Sequence, residues 1–584
     1  MTTIESTPRT LPAALRAAIA SHSGVALRSP SATDPGALSF ADVLRAGDEI
    51  AAGLAALGIE AGDRVAILSS TRAEWTLADL GALWAGAVVV PIYNTNSPEE
   101  CEYVLTHSGS RAVFCEDEAQ LQKLDGLDDL EHRIVLTGDA AGAITLAELR
   151  ERGRALKEPV AATRAAAIGP DDLATLVYTS GTTGPPKGCM LTHGNLVSTI
   201  EMYRARLELG PGMRAYLFLP LAHALARVTQ YVTLTIGGEL VFWRGDPKRI
   251  VDELSEAGPT HFPSVPRIFE KIHTAVLGGV EESGPLKRLV FAWALAEGAR
   301  ARRRDGGPLA HRRHALADRL VLSKVRAAFG DRLQVALTGA APIGADILRF
   351  FDACGVLVLE GYGLTESCAA STLNTVGEHR FGTVGRPLPG TGVRVADDGE
   401  LLLRGPHIFA GYYRDDEATD QSLDHGWLRT GDLGSVDDDG YVRITGRKKE
   451  LIITSNGKNI SPTNIEELLR ETRWISQAIV FGDNKPYLVA LLTIDPDEAA
   501  KLAQRVGAPP DDLTALARHP RVRAELQASV EEVNARLARI EQIKRFAILD
   551  HDLSQAAGEL TPTLKIKRPV VAEHYADVVE ELYA

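Results

Sequence analysis

Residues 176–195 read LVYTSGTTGPPKGCMLTHGN. An apolar run of Leu176, Val177 and Tyr178 stops at a loop of small hydroxylated residues and glycines. Two prolines and Lys187 follow before a new apolar-polar pattern begins. The composition suits an anion. Gly181 and Gly184 let backbone N–H groups approach a phosphate closely, Thr179, Ser180, Thr182 and Thr183 supply hydroxyl donors, and Lys187 adds a point charge. The P-loop pattern G-x-x-x-x-G-K-[ST] is not met, because Pro186 precedes Lys187 and Gly188 follows it. A plain surface turn has the same residue types.

Outward from this loop, strand and helix patterns alternate. Residues 41–57 have helical spacing, 63–68 (DRVAIL) read as a strand, 75–86 as a helix and 87–93 (AVVVPIY) as a strand. The rhythm continues through a helix at 98–108 and strands RAVFCED and HRIVLTG. It resumes beyond the loop in GELVFW, THFPSVP, LQVALTG and VLVLEGYG. Such alternation predicts an α/β fold with mostly parallel sheets. After Gly382, Asp-Gly pairs at 398–399 and 439–440 predict hairpins in a small antiparallel or barrel-like section. Beyond the polar break Gly446-Arg447-Lys448-Lys449, a strand, a turn, a helix from Pro462 with Ser461 as its N-cap, and further strands and helices predict a small α+β domain. The expected domains are 1–446 and 447–584.

The chain has 584 residues, enough for more than one domain, and a net charge of −14, which argues against nucleic acid as the main partner. Five scattered cysteines without a C-x-x-C pair fit a reducing compartment. No secretory signal or spanning apolar segment is evident, so a cytoplasmic location is expected. Residues 285–329 break the α/β rhythm with a helical stretch carrying Arg300, Arg302, Arg303, Arg304, Arg312 and Arg313 around a break at Asp305–Pro308. This cluster reads either as a peripheral contact with an anionic membrane or as a solvated helical hairpin.

The string YTSGTTGPPKG resembles the phosphate-loop signature of the AMP-forming acyl-CoA synthetases, a family that includes peptide-synthetase adenylation domains and luciferases. Further motifs resemble that family in the expected order: LPLAHALAR (219–227), LTGAAPI (337–343), EGYGLTE (360–366) and TGDL (430–433), then Gly446-Arg447 and the C-terminal lysines. FPSVPRIFEKI (262–272) and SNGKNISPTNIE (455–466) resemble the long-chain fatty acyl branch, and the likeness runs from about residue 40 to 568.

The resemblance implies a fatty acid:CoA ligase that uses ATP, Mg2+ and CoA, passing through acyl-AMP. Thr179–Lys187 and their loop would hold phosphates. Gly339, Ala340, Ala341, Glu360, Gly361, Tyr362 and Gly363 would line the adenine site, with Tyr362 stacked on the ring. Thr365 would bond the α-phosphate, and Glu366 with Thr183 would hold Mg2+. Asp432 suits the ribose hydroxyls, Arg447 the nucleotide and His223 the acyl site. Lys449 would be the hinge for a mobile C-terminal domain, and the Asn456–Gly457–Lys458 turn would enter the site in a second pose.

One departure concerns the catalytic lysine. In LTPTLKIKR (560–568), Thr563 falls in the family's lysine slot, so Lys565 is the candidate and Lys567 the alternative. The same motifs also serve a fatty acyl-AMP ligase that loads a carrier protein, or a non-catalytic nucleotide or lipid sensor.

Overall fold

A computed structural model describes residues 9–29, 36–156, 158–179, 185–303, 308–455, 457–509, 512–561 and 565–584. Ser180, Gly181, Thr182, Thr183 and Gly184 of the phosphate loop lie outside the described residues, as do Arg304, Asp305, Asn456 and Thr563.

Two large sheets organise the first 390 residues or so. In the first, of eight strands, Leu173–Thr179, Val88–Ile92, Arg64–Leu68, Ser110–Cys115, His132–Val135 and Ile144–Thr145 run parallel. Lys187–Thr192 and Gly411–Tyr412 are added antiparallel at one edge. The parallel strands are apolar runs buried on both faces, as βαβ packing demands. In the second sheet, of nine strands, Val25–Arg28, Glu239–Phe242, Arg214–Leu217, His261–Ser264, Val335–Thr338 and Val358–Tyr362 are parallel. Val25–Arg28 and the helix Leu11–Ser21 before it precede the stretch where sequence patterning was clear.

One continuous core joins the sheets through the helices Ala73–Trp84 and Ala224–Thr235. Ala73–Trp84 (AEWTLADLGALW) is apolar nearly all round and correspondingly buried all round. Its one fully buried carboxylate, Asp79, accepts bonds from Arg227, Gln230 and Tyr231 on the other helix. Arg227 of LPLAHALAR therefore locks two helices together and reaches Thr175 of the first sheet.

The predicted hairpin section is a five-stranded antiparallel sheet containing Gly392–Val395, Glu400–Arg404 and Trp427–Val436, with Val442–Arg447 paired to the last. The strand continues through Gly446 and Arg447, so the polar break begins only at the single turn Lys448–Glu450. Beyond it, the three-stranded sheet Ile475–Phe481, Leu488–Ile494 and Ile543–Ile548 is packed by the helices Pro462–Arg470, Ala499–Val506 and Pro520–Arg536 around a separate core. Ser461 stands at the N-cap position of Pro462–Arg470, as expected, but makes no capping bond. Its hydroxyl lies where a side chain at Gly446, in the strand Val442–Arg447, would be. All five cysteines are free and buried. Among the described residues no helix is long and apolar enough to cross a membrane.

Candidate active site

The loop that follows Tyr178 joins two antiparallel strands, with Thr179 paired to Lys187 at its mouth. The second strand ends in a capping box, Thr192 with Asn195, which starts the helix His193–Arg206. Asn195 does more than cap. Its side-chain amide donates to the carbonyls of Pro406 (2.8 Å) and Ile408 (2.9 Å), and the next N–H, of Phe409, donates to the Glu366 carbonyl (2.9 Å). Gly411–Tyr412 then pairs with Met190 and Cys189. Backbone bonds thus tie the phosphate-loop strand to the EGYGLTE turn.

Side chains repeat that link. Tyr412 donates its hydroxyl to Glu366 Oε1 at 2.7 Å. Lys187 lies over the Tyr412 ring at 5.3 Å and pairs with Asp415 at 3.2 Å. Tyr412 and Asp415 went unnoticed in the sequence; GYYRDDEAT carries no spacing that distinguishes it from an ordinary turn before a helix.

Val358–Tyr362 runs beside Val335–Thr338, so LTGAAPI and EGYGLTE leave the sheet together. A side chain at Gly339 would lie 3.2 Å from the Gly361 carbonyl, and one at Gly363 only 1.7 Å from the Ala369 carbonyl. Gly363 is therefore required by packing alone. Ala340 takes a left-handed conformation at φ +68°, and Ala341 is exposed beside it. Thr365 and Glu366 open a single helical turn after the motif.

Tyr362 donates its hydroxyl to Asp432 Oδ2 at 2.7 Å, and Arg447 Nε donates to Asp432 Oδ1 at 2.8 Å. Burial, together with the Asp432 charge, raises the Tyr362 phenol well above its ordinary range. Glu360 is placed differently. Its carboxylate accepts from the Gly382 N–H at 3.1 Å and faces Glu467 of the second core, and burial pushes it up to about 8.

Lys565 enters from the C-terminal side. The segment folds back on itself, with Leu560 bridged to Ile566 and the Thr561 hydroxyl accepting from the Lys565 N–H. Lys565 is exposed, and its ammonium is close enough to feel charged groups of the larger core and of the joining turn. Burial and then Arg447 lower its pKa, while Asp432, Glu366 and Glu450 oppose them. His223, at the N-terminus of Ala224–Thr235, accepts the Leu225 N–H on Nδ1 at 3.3 Å, which leaves its proton on Nε2. Burial and then Lys565 push His223 down to about 4. Lys567 instead lies at the start of the helix Arg568–His574, its N–H bonded to the Glu559 carbonyl. Lys449 is exposed on the turn joining the two cores, and Gly457 occupies the Ile452–Ile453/Asn459–Ile460 hairpin at φ +70°.

The arrangement gathers Glu366, Tyr362, Asp432, Arg447, His223 and Lys565 at one cleft, beside the phosphate-loop strand. Two carboxylates, a flat ring and two cations near one another suit a nucleotide and an acid together. A family model described as AMP-binding enzyme matches residues 17–413, and one described as AMP-binding enzyme C-terminal domain matches 449–584. The chain belongs to this family of AMP-binding enzymes. It is 42% identical over 549 residues to the Mycobacterium bovis long-chain-fatty-acid–CoA ligase FadD15, covering 91% of this chain and 90% of that one. To the Gallus gallus long-chain-fatty-acid–CoA ligase ACSBG2 it is 35% identical over 567 residues, with 89% and 74% covered. Among solved structures, ATP-bound MatB from Rhodopseudomonas palustris is similar, with a TM-score of 0.72 at 25% identity and 98% and 99% of the chains covered.

Proposed function

We propose that this chain is an ATP-dependent long-chain fatty acid:CoA ligase acting through an acyl-adenylate. The observation that carries the chemistry is that the Lys565 ammonium lies within the field of Arg447, Asp432 and Glu366, the residues assigned to the nucleotide and its ion. The identity with long-chain ligases over nine-tenths of the chain supports the acid class.

A carboxylate attacking a triphosphate must overcome repulsion between anions, so the site's task is neutralisation and alignment. Asp432, steadied by Tyr362 and Arg447, holds the ribose hydroxyls, and the Tyr362 ring lies on adenine. Thr179, Lys187 and the loop between them hold the β- and γ-phosphates. Glu366, oriented by Tyr412, is a hard oxygen donor of the kind Mg2+ takes alongside substrate phosphates, and the ion when bound neutralises phosphate charge. Lys565 bridges the acid's carboxylate and the α-phosphate, so the new C–O–P linkage forms as pyrophosphate leaves. His223, neutral with its proton on Nε2, adds a donor without adding charge. Rotation about Lys449 then withdraws Lys565 and brings the Gly457 hairpin in, opening the acyl-AMP to the CoA thiol. No protein nucleophile is needed.

The test is an assay with ATP, Mg2+, palmitate and CoA. The expected products are palmitoyl-CoA, AMP and pyrophosphate. Pyrophosphate release with no CoA thioester would instead favour a carrier-protein acceptor, and fatty-acid-independent behaviour would defeat the ligase reading.

A further inference from the structure

Residues 285–329 contribute none of the candidate site residues, yet their composition departs sharply from the rest of the chain. They hold eleven Lys and Arg against three Asp and Glu, a local net charge of +8 in a chain of −14, leaving −22 for the rest. They form a helix, Pro285–Arg302, about 27 Å long, and a second helical run from Pro308 to Ala327 packed beside it. The buried side of this pair is anchored firmly. Phe291, Ala294, Ala317 and Leu322 join the main core, and Gly298 lies so close to the helix Ala345–Ala353 that a side chain there would stand 2.1 Å from the Ala353 carbonyl.

The outer side is neither polar nor neutral. Leu286, Leu289, Leu309, Leu316 and Leu320 are 44–72% exposed, and among the described residues they are the only leucines counted as exposed. On the second run, positions 309, 316 and 320 recur at helical spacing and so share a face. Part of the positive charge is spent internally: Arg300 and Arg313 pair with Glu297, Arg302 with Asp352 and Arg326 with Asp318. Lys287, Arg303, Arg312, Arg319 and Lys324 make no ion pair among the described residues. A solvated hairpin explains the arginines but not the leucines between them. Leucines interspersed with cations on a rigidly backed helix face match a surface that is apolar within and anionic at its rim.

We propose that the outer face of this helical pair docks the protein on an anionic lipid bilayer, the leucines entering the headgroup boundary and the unpaired cations meeting lipid phosphates. Charge complementarity singles out a bilayer of this kind, because the remainder of the chain is strongly acidic and would be repelled. The face is thus a positively charged region by which an otherwise acidic chain can approach such a surface.

The test is co-sedimentation of the full chain with phosphatidylcholine vesicles, with and without about a third of phosphatidylglycerol, in the absence of ATP, acid and CoA. Binding is therefore read independently of the ligase reaction. The wild type is expected to pellet with the anionic vesicles and to be released by salt. Two variants separate the contributions: Leu309→Ser/Leu316→Ser/Leu320→Ser and Arg312→Glu/Arg319→Glu/Lys324→Glu. Each is expected to lower the pelleted fraction at least about fivefold while retaining wild-type turnover of a short, water-soluble acid. A wild type that stays in the supernatant, whether because its partner is an acidic protein or because it has none, overturns the proposal. So do variants that pellet as well as the wild type.

Discussion

Tyr362 and Asp432, seventy positions apart, are joined by a 2.7 Å hydrogen bond from phenol to carboxylate. The bond fixes the distance between the ring proposed to carry adenine and the carboxylate proposed to hold ribose. A hydrogen bond to a charged group is worth about 1.5–3 kcal/mol. Tyr362→Phe keeps the ring and loses the bond, so the KM for ATP is expected to rise about tenfold with the fatty acid KM unchanged. Steady-state kinetics with each substrate varied checks this, and an unaltered ATP KM would uncouple the two residues.

The two cores meet along the helix Pro266–Glu281, the segment that begins within FPSVPRIFEKI. Arg267 pairs with Asp495 at 2.8 Å and Lys271 with Asp497 at 2.6 Å. Arg473 of the C-terminal core reaches Glu281 and Glu282 at 2.8 and 3.0 Å while held by Glu498. These contacts latch the pose in which Lys565 is in the cleft. Arg473→Ala is expected to slow palmitate-dependent ATP–pyrophosphate exchange about 5- to 20-fold, the loss of roughly 1–2 kcal/mol in the pose equilibrium. Thioester formation from supplied palmitoyl-AMP should not slow. Equal losses in both half-reactions would mean general destabilisation.

Glu467 adds a pH dependence to the same interface. Burial pushes it up to about 8 from an ordinary 4.5, with Glu270, Glu471 and Glu466 adding to the rise and Arg470 opposing it. Glu360, also at about 8, faces it from the other core, with Arg443 and the Gly382 N–H opposing. A carboxyl raised in this way takes up a proton when the cores dock. Docking is therefore fully favoured below about 4.5, weakens as pH rises and levels off above about 8. Interdomain fluorescence transfer measured from pH 5 to 9 should show this decline, and Glu467→Gln should flatten it. A variant with the wild-type profile would remove Glu467 from the interface titration.

Buried pairing makes a separate demand on stability. Arg227→Met leaves Asp79 uncompensated in the core between the sheets, at a cost of about 3–5 kcal/mol. Asp79→Leu in the same chain should restore most of it. Denaturant unfolding of the wild type and both variants measures both effects, and an Arg227→Met chain as stable as the wild type would contradict the structural role given to Arg227.

Much of this was legible in the residues because it is local. Buried parallel strands announce themselves as apolar runs, the predicted helix at 98–108 is Pro98–Ser108, and Asp398-Gly399 and Asp439-Gly440 turn the expected hairpins. What escaped notice is long-range. Tyr412 meets Glu366 only because one edge strand, two residues long, is added beside the phosphate-loop strand. Arg227 looked like part of an acyl-site motif, but its guanidinium points into the core, toward a carboxylate 148 positions away. Ser461 has the residue type and position of an N-cap, yet its hydroxyl is buried against Gly446 and makes no hydrogen bond among the described residues. The choice between Lys565 and Lys567 turns on which side chain feels Glu366 and Asp432 across the chain, which no periodicity encodes.

The central claim is that Lys565 serves acyl-AMP formation and not thioester formation. The measurement that bears on it most directly is palmitate-dependent ATP–pyrophosphate exchange by Lys565→Ala, set beside its conversion of supplied palmitoyl-AMP and CoA to palmitoyl-CoA. Exchange is expected to fall by at least about a hundredfold with the second conversion near wild type. Normal exchange in Lys565→Ala, or its loss in Lys567→Ala instead, would contradict the claim.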